Sequence, residues 1–141
     1  MDTQQKKATV QRYVKEIWNE GRLDLIDQLM APDYQNCDPA TPGRVLRGPA
    51  AFKAFVIGMR EAIPDMTMEI QEQYVDGDTV ISRWLAGGTQ RGPLNGIPAT
   101  GRKSQGIEGI TITRFSGDRI VRDEVVWDLA GMLRQIGVLP G

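Results

Sequence analysis

Residues 67–90, TMEIQEQYVDGDTVISRWLAGGTQ, hold two extended runs, Thr67 to Val75 and Thr79 to Gln90, on either side of Asp76-Gly77-Asp78. An Asp-Gly step between such runs is a strong hairpin signal, because glycine takes the positive φ that a tight turn needs. The same pattern recurs downstream, where Lys103 to Phe115 and Arg119 to Trp127 flank Ser116-Gly117-Asp118. The second half of the chain therefore predicts four long antiparallel strands. Between the two hairpins, Gly92 to Gly101 carries Pro93 and Pro98 and predicts a loop.

The first half follows a different period. Val10, Tyr13, Val14, Ile17 and Trp18 are spaced as one face of a helix over Thr3 to Glu20, and Gly21 ends it. A short second helix has Leu25, Ile26, Leu29 and Met30 as its buried side, with Pro32 closing the segment. Asp33 to Asp38 predicts a short extended piece, and Pro39 to Gly48, with two prolines and two glycines, a loop. Pro49 to Ile63 predicts a third helix, with Pro49 in its first turn and Phe52, Phe55, Val56, Met59 and Ile63 on its apolar face. A last helical segment runs from Leu129 to Ile136. Helices gathered before strands mark an α+β fold. The expectation is a cone-shaped curved antiparallel sheet wrapped around three helices, with a central pocket at its mouth as the ligand site.

The chain has 141 residues, which suits one domain over 1–141, and there is no repeat or linker to divide it. It is 40% hydrophobic and 25% charged, with a net charge of −1. That balance offers no basic field for nucleic acid and no polybasic patch or long apolar run for a membrane. The polar start, Met1 to Lys7, is not a secretory signal, and a single cysteine, Cys37, fits a reducing cytoplasm. There is no histidine. Ser-His-Asp and Cys-His catalysis and the common zinc sites are thereby excluded. Acid–base work near neutral pH then falls most easily to a carboxylate in an apolar pocket, where desolvation raises its pKa.

With no bulge, alternation along the last strand puts Ile120, Arg122, Glu124, Val126 and Asp128 on one face, and Val121, Asp123, Val125 and Trp127 on the other. If the first face lines the pocket, Glu124 and Asp128 form an acid–base pair. The alternative is a solvated Glu124 and an Asp128 that caps the last helix. Arg83, in an apolar strand, either holds a buried carboxylate or substrate oxygen or points to solvent. Trp84 and Trp18 form either an aromatic wall for a flat apolar ligand or ordinary core. In Asn36-Cys37-Asp38-Pro39, an Asn or Asp can face the pocket mouth, although turn chemistry alone also explains an Asx-Pro step. Cys37 has no adjacent base to activate it and reads as inert. Gly92 to Gly101 lies between two strands, so it lacks the strand–loop–helix setting of a phosphate loop.

The ordered segments WNEGRLDLIDQLMAPDYQN (18–36), RGPAAFKAFV (47–56), GTQRGPLNGIPATGR (88–102), TRFSGDRIV (113–121) and WDLAGMLRQIGVLP (127–140) resemble the SnoaL-like polyketide cyclases, of the nuclear-transport-factor-2-like superfamily. The resemblance implies a cone fold, a homodimer, and cofactor-free ring closure of polyketides by intramolecular aldol chemistry. It attaches the acid–base role to the aspartate before the last helix, here Asp128, and places an asparagine, here Asn36, at the pocket. It also implies histidines that this chain lacks, at Thr111, Gln90 and Cys37, while Glu124 stands where relatives carry a large residue. The expected function is thus a cyclase or isomerase acting on a carbonyl-rich apolar metabolite. Asp128 and Glu124 would carry the chemistry, with Asn36, Arg83, Gln90, Thr111, Trp84 and Trp18 as substrate contacts. Two alternatives stand beside it. One is an epoxide-opening hydrolase or cyclase, in which Asp128 and Arg83 supply part of an Asp–Arg–Asp arrangement. The other is a non-catalytic binding or dimerisation module. Outward Ile81, Val121 and Val125 are the expected dimer contacts.

Overall fold

In the computed structural model, which describes residues 1–41 and 43–141, helices before, between and after the strands pack on one six-stranded sheet. Helix α1 (Thr3–Arg12) starts in a reciprocal cap: Gln5 N donates to Asp2 Oδ1 at 2.8 Å, and Asp2 N donates to Gln5 Oε1 at 2.8 Å. The single helix expected to Glu20 changes character at Tyr13. Tyr13–Asn19 is π-helical, and Glu20 N donates to Lys15 O five residues back. The wider turns bring Tyr13, Val14, Ile17 and Trp18 together on one buried face.

Helix α2 (Asp24–Leu29) is shorter than its apolar pattern predicts. Met30 takes extended φ and ψ of −97° and 143° and begins strand β1 (Met30–Cys37) instead of closing the helix. Pro32, expected as a terminator, lies within β1, where the pairing with β6 is interrupted between Met30 and Gln35. A short strand β2 (Val45–Arg47) falls within the stretch expected as loop and pairs antiparallel with β1. Helix α3 (Pro49–Ala62) carries Pro49 in its first turn and buries Phe52, Val56 and Ala62.

The two hairpins form as the turn residues predict: β3 (Thr67–Asp76) with β4 (Thr79–Thr89), and β5 (Lys103–Ser116) with β6 (Arg119–Trp127). Helix α4 (Leu129–Gln135) follows. The strand order is β2-β1-β6-β5-β4-β3, antiparallel throughout except for the β1–β6 pair, which is parallel. Register shifts at Ile70/Glu72, Ala86/Gly88 and Arg114/Phe115 bend the strands. The core lies on the concave side, where Phe52 of α3 meets Tyr34 of β1 edge-on at 5.3 Å and Trp18 at 6.0 Å. Among the described residues, no helix is long and apolar enough to cross a membrane.

Candidate functional site

Between the helices and the concave face of the sheet lies a pocket with an empty volume of about 860 Å³, counted to its open mouth. Its walls are mostly apolar: Val10, Val14 and Trp18 from the first helical segment, Phe55, Met59 and Ile63 from α3 and the residue after it, and Trp84 and Ile107 from the sheet. Gly109 makes room for one of these walls. A Cβ there would stand 2.2 Å from the Trp84 ring, which therefore lies directly on β5. Gly109→Ala is expected to push that ring into the pocket, lower stability by about 1–3 kcal/mol and weaken ligand binding; thermal unfolding and a titration followed by tryptophan fluorescence check both.

The polar groups of the pocket are few, and most already have partners. Trp84 Nε1 donates to Thr111 Oγ1 at 2.9 Å. Ser82 Oγ accepts from Gln73 Nε2 at 3.1 Å. Strand β1 and the residue after it supply two more, Asn36 and Asp38. The alternation of β1 turns Tyr34, Asn36 and then Asp38 inward, all three buried. Asp38 Oδ1 accepts from Trp127 Nε1 at 3.0 Å and from Ala40 N at 2.8 Å. No hydrogen bond to its Oδ2 is found among the described residues. Burial pushes the Asp38 carboxyl above the usual range; the bonds from Trp127 and Ala40 and the charge of Arg44 oppose that rise without cancelling it.

Deeper in, Asp123 is wholly buried. Tyr34 donates its hydroxyl proton to Asp123 Oδ2 at 2.6 Å, and Thr113 donates to Oδ1 at 2.6 Å. Asn36 Nδ2 in turn donates to the Tyr34 hydroxyl oxygen at 3.0 Å, and Asn36 Oδ1 is buried with no partner. Burial raises the Asp123 carboxyl, against the lowering effect of these hydroxyl donors. Burial, reinforced by the Asp123 charge, also holds the Tyr13 and Tyr34 hydroxyls well above the ordinary tyrosine value.

Asp123 faces inward because β6 is bulged. Phe115 pairs with Ile120 and Arg114 with Arg122, so Val121 is the extra residue. Beyond it the phase is the reverse of plain alternation: Asp123, Val125 and Trp127 point to the pocket side, and Arg122, Glu124 and Val126 point outward. This corrects the expected placement of the carboxylate pair. Glu124 lies on the outer face, paired with Arg122 at 3.2 Å and Arg114 at 3.5 Å. Asp128 is exposed beyond the end of β6 and caps α4, with Gly131 N donating to its Oδ1 at 2.8 Å. It lines no part of the pocket.

The other expected contacts divide in two. Asn36, Thr111, Trp84 and Trp18 all line the pocket. Arg83 instead lies on the outer face of β4, paired with Glu72 and Glu108, so it converges with neither Asp128 nor the pocket. Gln90 is buried but is committed to the loop that follows. Its Nε2 donates to the carbonyls of Gly92, Ile97 and Pro98, and its Oε1 accepts from the Thr100 amide and hydroxyl. Cys37 points outward beside Arg122, at 3.4 Å. Among the described residues, no three cysteine or carboxylate side chains converge on a point where a metal ion could sit. Asp123, Tyr34, Tyr13 and Thr113 carry no motif. Their signal is the Tyr34-x-Asn36-x-Asp38 alternation and a β6 phase that only a bulge reveals.

A curved open sheet closed by helices over an apolar pocket defines a cone of the nuclear-transport-factor-2-like kind. The family model described as SnoaL-like polyketide cyclase matches residues 8–136, and the chain belongs to that family. Aklanonic acid methyl ester cyclase DnrD of Streptomyces peucetius is 33% identical over 128 residues, which is 89% of this chain and 87% of DnrD. The nogalonic acid methyl ester cyclase of Streptomyces nogalater is 34% identical over 124 residues, 85% of this chain and 89% of the relative. The structure of TsrD from Streptomyces laurentii has a TM-score of 0.86 at 26% identity and covers 99% of both chains. These similarities support a cyclase role.

Proposed function

We propose that the chain is a cofactor-independent cyclase of a carbonyl-rich, apolar polyketide ester, with Asp38 as its acid–base. The observation that carries this reading is the Asp38 carboxylate, which lines the pocket with Oδ1 doubly bonded to donors and Oδ2 without a partner among the described residues. A carboxyl raised by burial is a stronger base when ionised than one in water. Ionised Asp38 takes a proton from a carbon flanked by two carbonyls, and the electron pair moves into an enolate. The enolate carbon bonds to a ketone carbon of the same substrate. The ketone oxygen becomes an alkoxide and takes the proton back from Asp38, so the product is an isomer of the substrate. Thr111 accepts from Trp84, so its own proton is free to be donated to the enolate oxygen. Asn36 Oδ1 accepts from a substrate hydroxyl, and Trp18 and Trp84 hold the apolar body.

Aklanonic and nogalonic acid methyl esters are the substrates to test, by liquid chromatography–mass spectrometry. An isobaric product supports the cyclase. A product heavier by one water makes the chain a hydrolase, and binding without conversion makes it a binding module. Asp128→Ala is expected to leave turnover at the wild-type level while lowering stability by about 1 kcal/mol, the usual cost of a lost helix cap.

A homodimer through the outer sheet face belongs to the same proposal. Tyr74 and Ile81 are registered neighbours on that face, as are Ile110 and Val126, and all four are exposed. The bulge places Val125 in the pocket wall, so Val126 takes the contact role expected of it. Sedimentation is expected to give twice the 15.6 kDa chain mass, and Val126→Arg a monomer.

A further inference from the structure

The orphan oxygen of Asn36 is held in place by a chain of hydrogen bonds with a fixed direction. An ionised carboxylate only accepts, so Asp123 accepts a hydrogen bond from Thr113 on one oxygen and from Tyr34 on the other. A tyrosine hydroxyl has one proton. Once it is given to Asp123, the oxygen can only accept, and what it accepts is an N–H of Asn36. The amide is thereby oriented: Nδ2 turns down to Tyr34, and Oδ1 is left on the other side, buried, unpartnered and in a residue that lines the pocket. Reversing the amide would set its oxygen against a hydroxyl oxygen with no proton to share.

We propose that Asp123 and Tyr34 are positioning residues that hold the Asn36 amide with Oδ1 toward the pocket, so that the site selects a substrate presenting a hydroxyl or enol O–H there over one presenting a carbonyl. The inference rests on the pocket being the substrate site. It adds a specificity rule that the acid–base role of Asp38 does not contain. Neither Asp123 nor Tyr34 needs to touch the substrate, since both are wholly buried beneath Asn36. A pocket built to accept a hydrogen bond discriminates against an analogue lacking the donor far more strongly than an apolar wall discriminates by size.

The test uses two bicyclic probes, 1-naphthol, which donates, and 1-tetralone, which only accepts. They are titrated into the full chain at about pH 8, well above the ordinary carboxylate range. Wild type is expected to bind 1-naphthol about tenfold or more tightly than 1-tetralone. In Asp123→Asn the new amide still accepts from Thr113 but donates to Tyr34. The Tyr34 hydroxyl then donates to Asn36 Oδ1, the Asn36 amide turns over, and the preference reverses toward 1-tetralone. In Tyr34→Phe the amide is released and the preference disappears. Equal weakening of both probes in the variants, with the ratio unchanged, would mean a structural role only and overturn the proposal.

Hydrogen exchange of the Asn36 side-chain amide gives a readout that needs no probe affinity. It is expected to be slow in wild type and faster in Asp123→Asn, with both proteins folded by circular dichroism; identical exchange overturns the proposal. Loss of polyketide turnover with the probe preference intact counts against the cyclase reading alone. An unaltered preference in a chain that turns over counts against this inference alone.

Discussion

Asp38→Asn is expected to lower kcat by about a thousandfold, within the range that a positioned general acid–base supplies, while leaving the fold intact. Asparagine keeps an oxygen for Trp127 Nε1 and Ala40 N, so the two bonds that hold the side chain survive and only the exchangeable proton is lost. The pH profile carries the same expectation. Burial holds the Asp38 carboxyl above its ordinary value, so kcat/KM should rise with pH through that raised pKa, and its acid limb should lie above the usual carboxylate range near 4. The asparagine variant should show no such limb. Single-turnover measurements across pH separate this from a change in product release.

Asp123→Ala is expected to cost about 3 kcal/mol of stability, or roughly 10 °C in Tm for a domain of this size. The loss strands the Tyr34 and Thr113 hydroxyls, both buried and each 2.6 Å from an Asp123 oxygen. The pH dependence has a defined sign. Asp123 and Asp38 both have folded pKa values raised by burial, so the native state binds more protons than the unfolded chain between the unfolded value near 4 and the raised folded values. In that window these two groups make the protein lose stability as pH rises. Asp65, lowered by its bonds from Thr89, acts in the opposite sense but is solvated and contributes little. Asp123→Asn removes one of the two burdens. Its Tm relative to wild type should therefore climb as pH rises through the window, as differential scanning calorimetry can record.

The parts of the fold that local chemistry dictates were legible in the sequence. Asp76-Gly77-Asp78 and Ser116-Gly117-Asp118 can turn only one way, and both hairpins stand where those residues place them. Pro49 and the apolar spacing that follows it define α3 almost to the residue. Features set by tertiary pairing were not legible. Nothing in Met30–Cys37 announces that it lies parallel to β6, or that Val45–Arg47 joins its other edge. The π-helical turns at Tyr13–Asn19 preserve an ordinary helical pattern of apolar residues.

One residue decided how much of the site could be foreseen. Val121 carries no mark of a bulge, yet it reverses every side chain after it in β6. With that reversal the buried carboxylate becomes Asp123, and Glu124 joins the surface arginines. Trp84 and Trp18 stood out as aromatics in apolar runs, Asn36 by its place where an extended piece meets a loop, and Thr111 by its place in the resemblance; all four line the pocket. Arg83 drew attention as a charge in an apolar strand and Gln90 as a position where the resemblance implies a histidine, and each is accounted for by its own partners: two glutamates for Arg83 and the loop that follows for Gln90.

The central claim is that the working carboxylate stands on the β1 side of the pocket and not at the start of the last helix. Turnover of aklanonic acid methyl ester by Asp38→Asn and Asp128→Asn, measured side by side with wild type at one pH, tests it most directly. Asp38→Asn is expected to lose the isobaric product while Asp128→Asn forms it at close to the wild-type rate. Loss of product in Asp128→Asn, with Asp38→Asn unimpaired, would contradict that claim.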